Sequence, residues 1–287
     1  MPTLADDLMP PTLSPEEYDR LGLRVAEHCG LHLGELLRPR VERCLAQRFR
    51  DRGVDSLERY WAELNGDRRE LGALCERIVP GETFFFRDGP QLYAFSTRVL
   101  PVLASRNAQT RRLNLWSAGC STGEEAYTLA ILVAESGLFE DWSVTIWGTD
   151  FSARALHKAR RGAYPERALR EASPSRRARF FTHGTDASRV VVDIQRAVTF
   201  RRLNLNRVAA RDPLPVMDVI FCRNVLIYWT AADRGRLLQT FRGKLKPGGW
   251  LYLGHAEALN PGLASAFDGT DLQRDWAYRR PHGESPL

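Results

Sequence analysis

At 287 residues, 44% hydrophobic and 26% charged, the chain exceeds one typical domain and is neither disordered nor fibrous in composition. The net charge of +6 is carried almost entirely by arginine, which permits an acidic partner, protein or nucleic acid, without selecting one. Its five cysteines show neither metal-type nor disulfide-framework spacing, no apolar run approaches a membrane span, and no signal pattern opens the chain, so a soluble cytoplasmic protein is expected.

Residues 1–13, with three prolines and little periodicity, are expected to be a mobile tail. Ser14-Pro15-Glu16-Glu17 is a helix start, with Ser as cap, Pro at the first position and Glu closing a capping box. Tyr18, Leu21, Val25 and Cys29 recur at helical spacing until Gly30 stops the helix. Because Gly30 separates His28 from His32, no metal pair is expected there. A second helix is predicted from Pro39 to Arg52, a third begins at Asp55-Ser56-Leu57-Glu58, and a fourth carries Leu71, Leu74, Cys75 and Ile78. Four short helices with short links predict a small all-α domain over residues 14–86. The second helix bears Arg38, Arg40, Arg43, Arg48, Arg50 and Arg52, offset only by Glu42 and Asp51, which predicts a docking surface for an acidic partner. Arg40, Arg43 and Arg50 share one broad helical face. Phe84, Phe85 and Phe86 then require burial, expected at the seam between this domain and the next, with Thr83 and Arg87 at a cleft edge.

A helix from Gln91 to Ser105 precedes the first strand, Leu113 to Trp116. That strand runs into a turn carrying Gly119 and Gly123, and a helix opens on Glu124 and Glu125. Strand, glycine turn and helix bring backbone close to a nucleotide-like ligand. Two carboxylates at the helix start argue against a pyrophosphate and for hydroxyls or positive charge. The second strand, Val144 to Gly148, ends in Asp150, where the hydroxyls of an adenosine ligand are held; Asp150 also suits a cap for the next helix. An acid-rich, phosphate-poor turn favours S-adenosylmethionine (SAM) over NAD. Residues 164–182 look helical and basic, and Val190 to Asp193 and Val198 to Arg201 alternate like a hairpin inserted at about 188–203. Met217 to Cys222 is a buried strand, a helix runs from Ala231 to Leu245, Trp250 to Gly254 is a fifth strand, and Trp276 to Arg279 an edge strand. The alternating order predicts a three-layer α/β domain over residues 87–287.

Four motifs, Gly81-Glu-Thr-Phe-Phe-Phe-Arg87, Trp116-Ser-Ala-Gly-Cys-Ser-Thr-Gly-Glu-Glu125, Phe221-Cys-Arg-Asn-Val-Leu-Ile-Tyr228 and Gly254-His-Ala-Glu257, occur in one order. Together they resemble the chemotaxis receptor glutamate methyltransferases, the CheR family, over nearly the whole chain past the tail. The resemblance implies that the α/β domain is a Rossmann-like SAM-dependent methyltransferase fold with a small β-hairpin insert, and that it O-methylates glutamate carboxylates on the cytoplasmic helices of chemoreceptors, with S-adenosylhomocysteine (SAH) as product and no metal. It implies cofactor contacts at Thr83, Arg87, Glu125, Asp150, Asn204, Leu205, Arg223 and Asn224, places Arg87 and Tyr228 nearest the transferred methyl, and gives the arginine-bearing helix a receptor-recognition role. The chain has Gly81 where the family usually has Asn, and its hairpin turn, Thr185 to Arg189, lacks the glycines with which some members grip a receptor peptide. An ionised glutamate needs no base, in keeping with the lack of a Ser/His/Asp or Cys/His constellation. A nucleic-acid methyltransferase is the rival enzyme reading, but Arg223-Asn-Val-Leu stands where amino-methylating DNA enzymes carry an Asp/Asn-Pro-Pro-aromatic motif. A non-catalytic receptor-binding adaptor is the other rival, opposed by the presence of Arg87, Asp150, Asn224 and Tyr228 together.

Overall fold

A computed structural model of the chain describes residues 12–79, 81–208, 213–257, 259, 267 and 277–282; most of the expected tail and Trp276 lie outside them. Backbone proximity divides the chain into two compact units. One runs to Pro80 and includes Tyr228–Thr230; the other comprises Gly81–Ile227 and Ala231–Leu287. The division falls at 80/81 rather than the expected 86/87, because Phe85 and Phe86 are buried in the second unit's own core.

In the helical unit, α1 (Pro15–Cys29) opens on the expected capping box: Ser14 Oγ accepts the Glu17 N–H at 3.2 Å and Glu17 accepts the Ser14 N–H at 2.8 Å. Leu13, expected in the tail, is buried, and its carbonyl accepts from Arg38. Gly30 ends the helix at φ 81°, and a Cβ there would stand 2.7 Å from the Trp229 ring, so only glycine fits. Helices α2 (Arg38–Arg52), α3 (Leu57–Gly66) and α4 (Arg68–Ile78) follow, the last two capped by Ser56 and Asp67. Their apolar faces bury Val41, Leu45, Phe49, Tyr60, Leu64, Leu74 and Ile78 around a buried carboxylate, Glu70. Glu70 is satisfied by Arg48 (2.8 Å) and by the Tyr60 hydroxyl (2.6 Å), whose own ionisation is pushed far up by burial and by that bond.

The arginines of α2 divide by task. Arg48 serves Glu70 and Asp51, Arg38 pairs with Glu35, and Arg52 pairs with Glu63. Arg40 does not belong to a free docking face. Its guanidinium donates to the carbonyls of Ile78 (2.6 Å), Val79 (3.0 Å) and Arg77 (3.1 Å), closing the C-terminal end of α4. Arg43 and Arg50 remain exposed, Arg50 touching only the neighbouring Gln47 among the described residues.

In the second unit, α5 (Gly89–Ala94) and α6 (Leu100–Arg106) replace the single expected helix, with a π-helical turn, Phe95–Val99, between them. Pro101 explains the break: it has no N–H for the i−4 carbonyl and its ring crowds that position, so the ladder widens one turn earlier. The chain continues through β1 (Arg112–Ala118), α7 (Glu124–Ser136), β2 (Ser143–Asp150), α8 (Ala153–Arg161), β3 (Ala163–Tyr164), α9 (Pro174–Phe180), β4 (Phe181–His183), β5 (Ser188–Val190) and α10 (Val192–Arg196). Strand β6 (Val198–Arg202), β7 (Met217–Cys222), α11 (Ala231–Lys244), β8 (Leu245–Leu253) and β9 (Ala277–Arg279) complete it. The main sheet has the order β6-β2-β1-β7-β8-β9, parallel except for β9. Strand order therefore reverses between β1 and β7, the switch point at which open α/β sheets take ligands. Phe221 and Tyr252 stack at 4.4 Å in the core, with Phe95 edge-on at 5.2 Å to Phe221.

The inserted hairpin is not at 188–203. It is β4 with β5, joined through Gly184–Ala187, and β3 pairs on the other side of β5. Val198–Arg202 instead pairs in parallel with β2, Ile146 opposite Val198 and Asp150 opposite Arg202. Alternation cannot distinguish a hairpin arm from a parallel edge strand with one covered face, and the link read as polar loop is the short helix α10. Within the second unit, Phe85 lies edge-on to Tyr164 and Phe181, both at 4.9 Å, and Arg170 stacks on Phe84 at 3.5 Å, so these aromatics pack against the inserted sheet.

Replacing Arg40 by Ala should lower the stability of the folded chain by about 1–3 kcal/mol, the cost of uncapping three partly buried carbonyls. Arg43→Ala should stay within about 0.5 kcal/mol. Urea unfolding of both variants checks this; equal midpoints would return Arg40 to the surface set.

Candidate cofactor and methyl-transfer site

Every expected cofactor residue in the second unit lies in its opening segment or at the carboxyl ends of the parallel strands. Beyond β1 the turn places Gly119 at φ 80° and Gly123 at φ 97°. A Cβ at Gly119 would stand 2.6 Å from Val225, and one at Gly123 2.9 Å from Ala159. Gly119 and Cys120 donate to the Thr149 carbonyl at 2.8 and 2.9 Å, fastening the turn to β2. Ser121, at φ 49°, donates its N–H to Asp150 Oδ2 at 2.9 Å, while Oδ1 accepts from Ser152 N at 2.8 Å. Asp150 thus ties the turn after β1 to the approach to α8, but it is not the N-cap that its position also suited. Ser152 supplies the side-chain cap of α8 through Ala155 N.

The two acids of the turn differ. Glu124 is buried, and burial pushes its carboxyl above the usual range against the opposing 2.7 Å bond from the Thr122 hydroxyl. Glu125 accepts from Ser117 Oγ at 2.6 Å and from Arg223 Nε at 2.8 Å. Arg223, its side chain 3% exposed, also donates to the Arg87 carbonyl (3.0 Å) and Gln91 Oε1 (3.2 Å), with Asp88 Oδ2 at 3.5 Å. Strand β7, the turn after β1 and the segment from Phe84 to Gln91 therefore meet on one guanidinium. Arg87 stands between two residues of positive φ, Phe86 and Asp88, both at 61°. Its own guanidinium donates to the Glu82 carbonyl at 3.0 Å and lies 5.6 Å from the Phe84 ring. Thr83 is half-buried in the same segment.

Asn204 and Leu205 follow β6, placed by the 3.0 Å bond from Leu203 N to the Asp150 carbonyl. Asn204 caps the turn Leu205–Arg207 through Asn206 N, and Leu205 is buried. Asn224 leaves β7 at φ 60°. Non-glycine residues in this backbone region cost about 1–2 kcal/mol, and here four of them, Phe86, Asp88, Ser121 and Asn224, belong to the loops around one sheet edge.

Sequence reasoning assigned no role to two of the residues that order this edge. Glu257, on a 3₁₀ turn after β8, is buried and accepts backbone N–H groups from Gly254 (2.7 Å), Asn224 (2.8 Å), Leu226 and Ile227 (3.2 Å). Asp88 faces both Arg223 and His255, the latter at 3.8 Å. The signal for the first was Gly254-His-Ala-Glu257 after a strand, a glycine and an acid with no evident partner. Tyr228 is not among these residues: with Trp229 and Thr230 it belongs to the helical unit, where its carbonyl accepts from His32 N at 2.8 Å.

The donor set suits a nucleoside with free hydroxyls and a cationic centre. Carboxylates stand where a pyrophosphate would need bare N–H groups. Of the buried cysteines, the two at this edge have their thiolates disfavoured: burial, then Asp150 and the two turn glutamates, pushes the Cys120 thiol up, and burial, then Glu257 and Glu125, does the same to Cys222.

Comparison with known proteins identifies the family of the chain. Residues 81–275 match the CheR methyltransferase SAM-binding domain, the same start as the second compact unit. Chemotaxis protein methyltransferase 1 of Pseudomonas aeruginosa is 36% identical over 257 residues, 85% of this chain and 90% of that one. The chemotaxis protein methyltransferase of Vibrio parahaemolyticus is 35% identical over 272 residues, 90% and 94% of the two chains. Chemotaxis protein methyltransferase 2 of Vibrio cholerae is 31% identical over 246 residues, 84% and 85%. Spanning these relatives almost end to end and carrying the matched domain, the chain belongs to the CheR methyltransferase family.

Proposed function

We propose that this chain methylates glutamate side chains on the cytoplasmic helical region of chemotaxis receptors, using SAM and releasing SAH, to give glutamate methyl esters for sensory adaptation in the cytoplasm. The observation that carries this reading is the acidic, phosphate-poor edge formed by Glu125 and Asp150, with the Arg87 segment bound to it through Arg223. Asp150, Asn204 and Asn224 offer hydrogen bonds for adenosine and its ribose, Leu205 an apolar wall, and Thr83, Arg87, Glu125 and Arg223 polar groups for the amino-acid end. When bound, SAM supplies the electrophilic methyl group.

The remaining work is positional. A glutamate acceptor, with a reference pKa of about 4.3, is already an anion at neutral pH, so no proton must leave before attack. The protein's task is to align carboxylate and methyl at about 3–3.5 Å. Arg87 is a guanidinium that fits a carboxylate, held on a backbone that leaves it little freedom. Tyr228, in the family position next to the transferred methyl, is assigned to the transfer step. Among the described residues no helix is long and apolar enough to cross a membrane, and the receptor is the partner that brings the reaction to one. Arg43 and Arg50 are the docking residues that α2 leaves exposed for acidic receptor helices. No nucleic-acid partner is invoked.

Labelled SAM offered to receptor cytoplasmic domains and to nucleic acid decides the substrate; label in nucleic acid alone would overturn the reading. In calorimetry, Asp150→Ala should weaken SAM binding by about 1.5–3 kcal/mol, because it removes charge-assisted bonds and frees the Ser121 turn. Unchanged affinity of the folded variant would remove Asp150 from the site.

Tyr228→Phe should lower kcat with SAM affinity near wild type, whereas Arg87→Ala should lose both. Wild-type turnover by Tyr228→Phe would reduce its hydroxyl to packing. Reversing the charge of Arg43 and Arg50 together should raise the receptor KM and flatten its salt dependence, leaving SAM affinity unchanged. Unaltered receptor kinetics at low salt would leave α2 as a solvated face.

A further inference from the structure

The least expected polar group in the second unit is the Glu257 carboxylate. It is 2% exposed, has no ion-pair partner among the described residues, and makes no bond to a side chain. All four of its recorded donors are backbone N–H groups. Three of them, Asn224, Leu226 and Ile227, come from the segment that leaves β7, and the fourth, Gly254, comes from the end of β8. A buried anion held in this way is costly unless every lone pair is used, and here the partners are the donors that an irregular loop leaves unpaired. The carboxylate thus replaces the ladder that stops at Cys222.

Its position is enforced from below. A Cβ on Gly254 would stand 2.5 Å from Glu257 Oε2 and 3.0 Å from the Asn224 nitrogen, so residue 254 has no room for a side chain. Asn224, whose N–H reaches the same Oε2, is one of the four non-glycine residues held at positive φ. Left alone, an asparagine divides its time among backbone regions, and its amide sweeps over the sheet edge. With its N–H and those of Leu226 and Ile227 fixed on one carboxylate, it has one orientation. On its other side Asn224 adjoins Arg223, whose guanidinium carries Glu125 and the Arg87 carbonyl.

We infer that Glu257 is a positioning residue for the methyl-transfer reaction: it holds Asn224 in the left-handed conformation that aims its side chain at the cofactor. This rests on the cofactor role proposed above for Asn224. The acid serves through the loop and does not touch cofactor or substrate.

The test measures SAM and SAH dissociation constants by calorimetry, with thermal unfolding in parallel, for the full-length chain. In Glu257→Gln one oxygen becomes an NH₂ that faces N–H donors, and SAM affinity should fall about tenfold or more. Gly254→Ala keeps the glutamate but pushes it off Asn224, and should produce the same loss, so that a poorly folded Glu257→Gln leaves the test intact. The decisive arm uses Asn224→Gly, which removes the amide and adopts positive φ unaided. In that background the further effect of Glu257→Gln on SAM affinity should shrink to less than about twofold, the coupling expected of residues that act as one unit. A purely structural acid would lower the unfolding temperature and leave SAM affinity unchanged, or would weaken binding equally in both backgrounds. Either result overturns the inference. Failure of the wild-type chain to bind SAM would instead overturn the cofactor reading itself, which separates the two.

Discussion

One buried guanidinium organises the edge at which the chemistry is proposed. Arg223 leaves the end of β7 and meets Glu125 from the turn after β1, together with the Arg87 carbonyl and Gln91 from the segment that opens the unit. A cation in an interior is unfavourable alone, and removing one partner of such a pair costs about 3–5 kcal/mol. The arrangement is therefore close to all-or-none: the three segments are held together or the charge is stranded. Directional bonds that join three pieces of chain distant in sequence are what an apolar contact cannot supply, and a methyl-transfer site needs that registry more than it needs a reactive group.

The same economy appears at Asp150 and Glu257. Each is an acid at or just past the end of a parallel strand, and each binds backbone N–H groups of nearby loops: Ser121 and Ser152 for the first, the Asn224–Ile227 segment for the second. Parallel strands end together on one side, and their loops leave donors with no ladder to join. Carboxylates satisfy those donors, and in the function proposed above the same acids favour a sulfonium and ribose hydroxyls over phosphates. At Asp150 the proposed ligand role and the structural one would be carried by one set of atoms.

Much of this was legible in the sequence where a local rule decides. The capping box at Ser14, the glycine turn after β1 and the acid ending β2 each follow from the chemistry of a few adjacent residues. What was misread depended on partners distant in the chain. Val198–Arg202 alternates equally well as a hairpin arm or as an edge strand, and only its pairing with β2 decides. Arg40 looks identical to Arg43 on a helical wheel, and only the C-terminal carbonyls of α4 distinguish them. Glu257 was visible as part of a motif, but an acid that binds only backbone leaves no complementary residue type to find. Pro101 was a local signal that was available: it marks the π-helical turn in the helix that otherwise reads as continuous.

The three residues Tyr228–Thr230 have a consequence for how the chain is divided. They sit among the N-terminal helices, with Trp229 over the glycine that ends α1 and the Tyr228 carbonyl on His32. The polypeptide accordingly passes between the two units three times, at 80/81, 227/228 and 230/231. A fragment cut at residue 80 would lack the indole that covers Gly30 and would leave the His32 N–H without its acceptor. The helical unit, contiguous to the eye in the sequence, is completed by a loop synthesised nearly 150 residues later, so a nascent chain on the ribosome cannot finish it until most of the sheet has already emerged.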